Sequence, residues 1–178
     1  MQAVNPPETL LALARTAAGG QGLDPALVCA VIEQESRWNP WAINPEPRYG
    51  YLWNVAKNVP YRISEGAAST LLTPPTDFPG LPGEDRDAEL WGQKMSWGLL
   101  QVMGAVGRER GFRGVFLSEL CDPATGLEFG CRHLAQLLQH TGGQVEEALL
   151  HWNGGGNPNY AQEVLARLAG YAPSPKRL

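Results

Sequence analysis

Residues 24–40 read DPALVCAVIEQESRWNP. Asp24 followed by Pro25 is a helix-start signal, an N-cap residue with proline at the first helical position. Val28, Val31 and Ile32 then fall at i, i+3 and i+4, the spacing of one helix face. The next position of that stripe is Glu35. Asn39-Pro40 stops the run, because the residue before a proline is driven out of the helical region. The stretch therefore predicts a helix over 25–36 with an acid on its core-facing side, near its C-terminal end. Glu33 points elsewhere and reads as a solvated charge.

An acid so placed has a chemical consequence. Burial among apolar side chains disfavours the charged form of a carboxyl, and the negative end of the helix dipole acts in the same direction. A carboxylic acid kept protonated near neutral pH is what cleavage of a glycosidic bond requires as general acid. The plainer alternative is a glutamate at the rim of the core whose long side chain reaches water.

Upstream, residues 7–18 read as a first helix closed by Gly19 and Gly20. Gly19-Gly20-Gln21-Gly22 lacks the Lys-Ser/Thr ending of a phosphate loop and reads as a helix-to-helix turn. The first twenty residues have no basic run and no long apolar run, so no secretory leader is expected in them. Downstream, residues 39–83 hold eight of the 15 prolines and no sustained period. A run of that length without structure is uncommon in a compact domain and is often functional. Trp38, Trp41, Tyr49, Tyr51, Trp53 and Tyr61 lie in it or at its lip, as satellite core or as a platform for sugar rings.

Helical spacing returns at 87–94, where Asp87 suits an N-cap, and again at 99–110. Asp122-Pro123 repeats the start signal, and Leu127, Cys131, Leu134, Leu137 and Leu138 form an apolar stripe behind it. Helices over 145–152 and 160–168 follow, and the tail from 172 is expected to fray. No hairpin signal and no internal repeat are evident.

The chain has 178 residues, 43% of them apolar, and a formal net charge of -4. One domain over residues 1–178 is the expectation, with 39–83 as its insertion. The mild acidity speaks against a nucleic-acid protein. No apolar stretch approaches the ~18 residues a membrane span needs. Cys29, Cys121 and Cys131 form no metal or redox motif, and their odd number leaves at least one free thiol. His133, His140 and His151 lack metal-ligand spacing. No metal, cofactor or nucleotide is expected.

Three short motifs stand in order: Glu35-Ser36-Arg37-Trp38-Asn39-Pro40, then Ser96-Trp97-Gly98-Leu99-Leu100-Gln101-Val102-Met103, then His151-Trp152-Asn153-Gly154-Gly155-Gly156. Together they resemble the motifs of the lytic transglycosylases, lysozyme-like enzymes that cut bacterial peptidoglycan. The first is similar to that family's glutamate-serine motif. The second is similar to its Gly-Leu-Met-Gln motif, with Leu100 in place of the usual Met. The third is similar to its Ala-Tyr-Asn segment, with Tyr160 where the family often has an aromatic. Residues 123–134 resemble the helix between the last two motifs. The resemblance covers roughly residues 25–164, the insertion apart.

The resemblance implies a mainly α-helical, lysozyme-like domain with an irregular, aromatic-rich insertion. It implies Glu35 as the single catalytic acid/base. Ser36 and Ser96 would orient it or the sugar, and Gln101 and Asn153 would bond the saccharide or brace the site. Gly98 would let the glycan approach the backbone, and Leu100, Trp152 and Tyr160 complete the implied substrate-binding set. Trp152 stands where the family has a tyrosine whose hydroxyl could bond the carboxylate; an indole can donate but not accept. His151 replaces a small residue.

The implied reaction cleaves the β-1,4 bond between N-acetylmuramic acid and N-acetylglucosamine and closes a 1,6-anhydro ring without consuming water. Two rivals stay open: a muramidase with a second acid such as Glu84, Asp85, Asp87 or Glu89, and a catalytically weak glycan-binding module of a phage tail. The implied partner is the peptidoglycan strand, acted on in the periplasm or cell wall by a monomer. Phage tail or lysis proteins are further candidate partners, with delivery by a phage favoured over a secretion apparatus.

Overall fold

The computed structural model describes residues 6–78 and 85–172. Glu84 and nearly all of the tail expected to fray lie outside the described residues. The fold is mainly α. The chain divides into two compact units, Met1–Trp38 with Cys131–Leu178, and Asn39–Gly130.

The first unit holds α1 (Glu8–Gly20), α2 (Pro25–Ser36), the latter part of α6 (Pro123–His140), α7 (Val145–Trp152) and α8 (Tyr160–Leu168). α2 packs against both α1 and α8, and α7 against α8. Asp24 caps α2 as expected, accepting from the Ala26 N–H at 2.8 Å. Every residue of α2 from Ala26 to Ile32 is buried. The middle of the helix is thus enclosed on all sides rather than along one stripe, and only its two ends reach the surface. The helix ends earlier than the proline requires. Arg37 (φ 50°) and Trp38 (φ 66°) both take left-handed backbone conformations, unusual for two consecutive residues with a Cβ. Trp38 is 3% exposed, and its indole N–H donates to the Tyr171 hydroxyl at 2.9 Å. That hydroxyl donates in turn to Glu33, which also lies 3.8 Å from the Arg167 guanidinium. Glu33 is therefore a partnered acid, not the solvated charge its position on the helix suggested.

The second unit contains more β-structure than the sequence predicts. Strands β1 (Ile43–Pro45), β4 (Met95–Trp97) and β5 (Val102–Met103) form an antiparallel sheet in the order β1-β4-β5. Strands β2 (Tyr51–Asn54) and β3 (Val59–Arg62) form a separate hairpin. That hairpin escaped the sequence because its turn has no Asn-Gly or Asp-Gly pair and Pro60 interrupts β3. Asn58, at φ 55°, supplies the positive dihedral instead, and a two-stranded sheet is all edge, where proline is tolerated. Short helices α3 (Glu65–Thr70), α4 (Arg86–Gln93) and α5 (Gly104–Glu109) and a 3-10 turn, η1 (Leu117–Cys121), complete the unit.

Two expectations here need correction. Residues 99–103 are not helical: they make a turn, with Gly98 and Gln101 at positive φ, and then β5. The apolar run Leu99, Leu100, Val102 is buried in that form, so burial alone did not require a helix. α4 is capped by Asp85, which accepts from the Asp87 N–H at 2.9 Å, and not by Asp87.

The insertion aromatics mostly build core. Leu52, Phe78 and Leu90 form a buried cluster, with Tyr49 and Tyr61 packed on it. Trp53 is 8% exposed, while Trp41 is 74% exposed. α4 and α5 are joined by a buried ion pair: Arg108 donates to both oxygens of Glu89, at 2.9 and 2.7 Å. Gln93 links Glu89 to the backbone of Trp53. All three cysteines are buried and free.

Candidate active site

Glu35 sits in the last turn of α2, where the enclosed part of that helix gives way to half-buried positions. Its carboxyl pKa is raised above the ordinary 4.5, chiefly by burial, while hydrogen bonds from Tyr160 and Trp152 pull it back down. Trp152, the last residue of α7, donates its indole N–H to Glu35 Oε1 at 3.0 Å. Tyr160, the first residue of α8, donates its hydroxyl to the same oxygen. Burial and the neighbouring Glu35 charge push the Tyr160 hydroxyl far above its usual range, so it stays a donor throughout the working pH range. The carboxylate thus has two donors on one oxygen, an indole from the end of α7 and a phenol from the start of α8.

The other expected residues of this unit are placed differently. Ser36 turns back onto its own helix and donates to the Ile32 carbonyl at 3.2 Å. The Asn153 amide, oriented with its oxygen toward donors, accepts from the N–H groups of Gly156 and Asn157 at 3.0 and 2.6 Å. It braces the glycine turn after α7. His151 is exposed and faces Glu147, 3.9 Å away, and the His140 ring, 6.0 Å away.

In the second unit, the middle motif folds onto itself. Ser96 on β4 donates to Gln101 Oε1 at 2.9 Å. Gln101 Nε2 donates to the carbonyls of Ala42 and Gly98, at 3.0 and 2.9 Å. The Gly98 N–H also bonds the Ala42 carbonyl. Gly98 has reasons of its own to be glycine: its φ is 70°, and a Cβ there would stand 2.5 Å from the Leu120 carbonyl oxygen. Leu100 is 1% exposed and its side chain is spent on packing.

The acids considered for a second carboxylate are largely committed. Glu89 is 3% exposed and held by Arg108 and Gln93. Asp85 caps α4, and Asp87 is exposed in its first turn. In the insertion, Glu46 bonds Asn44 and Asp77 bonds Tyr61. Among the described residues no group of three or more His, Cys, Asp and Glu could hold a metal ion, and no helix is long and apolar enough to cross a membrane.

Two features escaped sequence reasoning. The Glu33–Tyr171–Trp38 chain joins residues far apart in sequence, and nothing in the periodicity of either segment signals it. His133 on α6 lies against Trp152, with ring centroids 5.2 Å apart and planes tilted 36°. Neither residue could be paired without knowing how α6 packs beside α7. A family model, the transglycosylase SLT domain, matches residues 12–167. No curated protein and no solved structure matches.

Proposed function

Because the chain belongs to the SLT transglycosylase family and is a peptidoglycan lytic transglycosylase, we propose that Glu35 is its single acid/base and that the product carries a 1,6-anhydro ring. The observation that carries this reading is the pair of donors on one carboxylate oxygen. Tyr160 and Trp152 both bond Oε1, so Oε2 is the oxygen that carries the catalytic proton.

In the first half of the reaction, Oε2–H protonates the glycosidic oxygen and the bond from that oxygen to muramoyl C1 breaks. The negative charge left on Glu35 is held by the two donors, which can strengthen as charge develops. In the second half, Glu35 takes the proton of the muramoyl C6 hydroxyl while that oxygen bonds to C1. The carboxyl is then protonated again, and no water has entered. A glycosidase of the two-carboxyl kind needs a second acid facing the first. Of the acids considered for that place, Glu89 is held by Arg108 and Gln93 and Asp85 caps α4, which supports the one-carboxyl route.

Ser36, Ser96, Gly98, Leu100, Gln101, Trp152, Asn153 and Tyr160 are read as the residues that form or brace the glycan site. For Leu100, Gly98 and Asn153 the contacts favour bracing. Residues 1–178 are read as one catalytic domain with an insertion at 39–83. Digestion of purified cell walls in ¹⁸O-water, followed by mass spectrometry of the muropeptides, tests the mechanism. Unlabelled 1,6-anhydro ends are expected. Labelled reducing ends in most products would make the enzyme a hydrolase.

A further inference from the structure

We propose that His133 is a positioning residue for this reaction: its ring packs against Trp152 and holds the indole N–H on Glu35. The proposal rests on the reading of Glu35 as acid/base.

Trp152 is poorly held by its own backbone. It is the last residue of α7. The chain continues through Asn153 into Gly154 and Gly155, both at positive φ. A hydrogen bond from an indole is directional, since the single N–H lies in the ring plane. A rotation of the ring about its side-chain bonds therefore takes the N–H off Oε1. A ring packed against the indole opposes that rotation, and His133 supplies one, at 5.2 Å between centroids and 36° between planes. Centroid separations of this size are those at which aromatic rings attract.

The platform is itself well anchored. α6 runs from Pro123 to His140. Cys131 and Leu134, on either side of His133 in sequence, are 0% and 1% exposed. One residue before Leu134, His133 lies about 100° around the helix from it and so flanks the buried face. The side chain is half-buried.

The pH dependence of turnover separates positioning from a merely structural role. Trp152 lowers the Glu35 pKa through its hydrogen bond. Removing the bond keeps Glu35 protonated to higher pH, so the alkaline limb of peptidoglycan turnover moves up. Trp152→Phe, which keeps a ring and deletes the donor, calibrates that shift. His133→Ala is expected to move the limb in the same direction and to lower turnover at saturating cell wall up to about tenfold, the size of one hydrogen bond's contribution. The wall concentration at half-saturation should change little. His133→Phe, which restores a planar ring, should restore both limb and rate. In the Trp152→Phe background, His133→Ala should move the limb no further.

A His133→Ala enzyme whose limb stays at the wild-type position, while Trp152→Phe moves it, overturns the proposal. So does a loss of melting temperature and rate in His133→Ala with an unmoved limb, which marks a structural residue. A limb that Trp152→Phe itself leaves in place overturns the assignment of Glu35 as the acid, and the positioning role with it.

Discussion

At the level of the residue, the Glu35 carboxyl is set by two opposed influences. Burial raises its pKa, and the Tyr160 and Trp152 donors lower it. The sign of the stability effect follows. A carboxyl with a raised folded-state pKa contributes stability that is fully present below its unfolded value, near 4.5, and lost as pH rises through the folded value. Above that unfolded value the raised pKa thus costs stability. Glu35→Gln retains an oxygen for both donors and carries no charge. Its melting temperature should exceed the wild-type value at neutral pH, and the gap should close as pH falls below 4.5. Its activity should fall at least ~10²-fold, the low end of general acid/base contributions. Cell-wall clearing at the wild-type rate by Glu35→Gln would remove the assignment. Glu33→Gln is no neutral control, because Tyr171 and Arg167 contact Glu33. Glu8, exposed in the first turn of α1, serves better.

Elements of the second unit are tied by the Arg108–Glu89 pair, fully enclosed between α4 and α5. Removing one partner leaves the other charge buried and uncompensated. Glu89→Gln is expected to cost about 3–5 kcal/mol in urea unfolding, the range for a broken buried pair. Turnover measured well below the melting temperature should be retained, because Glu89 is bound to structure rather than poised for proton transfer. Low turnover in a folded Glu89→Gln protein would reopen the hydrolase reading. The aromatic insertion makes a second contrast. Trp53 is nearly enclosed and Trp41 is mostly exposed. Trp53→Ala should cost about 3–5 kcal/mol, as large-to-small core changes do. Trp41→Ala should stay within about 0.5 kcal/mol of wild type. Equal losses in the two variants would contradict this burial.

For the whole molecule, the three thiols give a redox expectation. Cys29, Cys121 and Cys131 are all buried and unpaired. Burial pushes the Cys29 thiol up to about 11 and Cys131 up to about 12, and raises Cys121 as well. The reactive form of cysteine is the thiolate. Alkylation of the native protein near neutral pH should therefore be slow at all three sites and become complete on denaturation. The melting temperature should be the same with and without reductant. A reductant-dependent melt would require a disulfide that the fold does not contain.

The sequence by itself determined the helices of the first unit and the order of the motifs. Asp24-Pro25 and Asp122-Pro123 announced two helix starts, and the bounds of α7 and α8 followed from local spacing. These signals are local, since a cap and a 3.6-residue period need only a few neighbours. Glu35 was legible for the same reason, as an acid continuing an apolar run. Only the tertiary structure decided what surrounds it. Trp152 and Tyr160 lie more than a hundred residues away in sequence, and His133 is placed against Trp152 by the packing of two helices. The hairpin, the turn at Gly98 and the partner of Glu89 belong to the same class. Each depends on a long-range pairing, or on a dihedral chosen to satisfy burial elsewhere, and no local pattern encodes which distant side chain will fill the space.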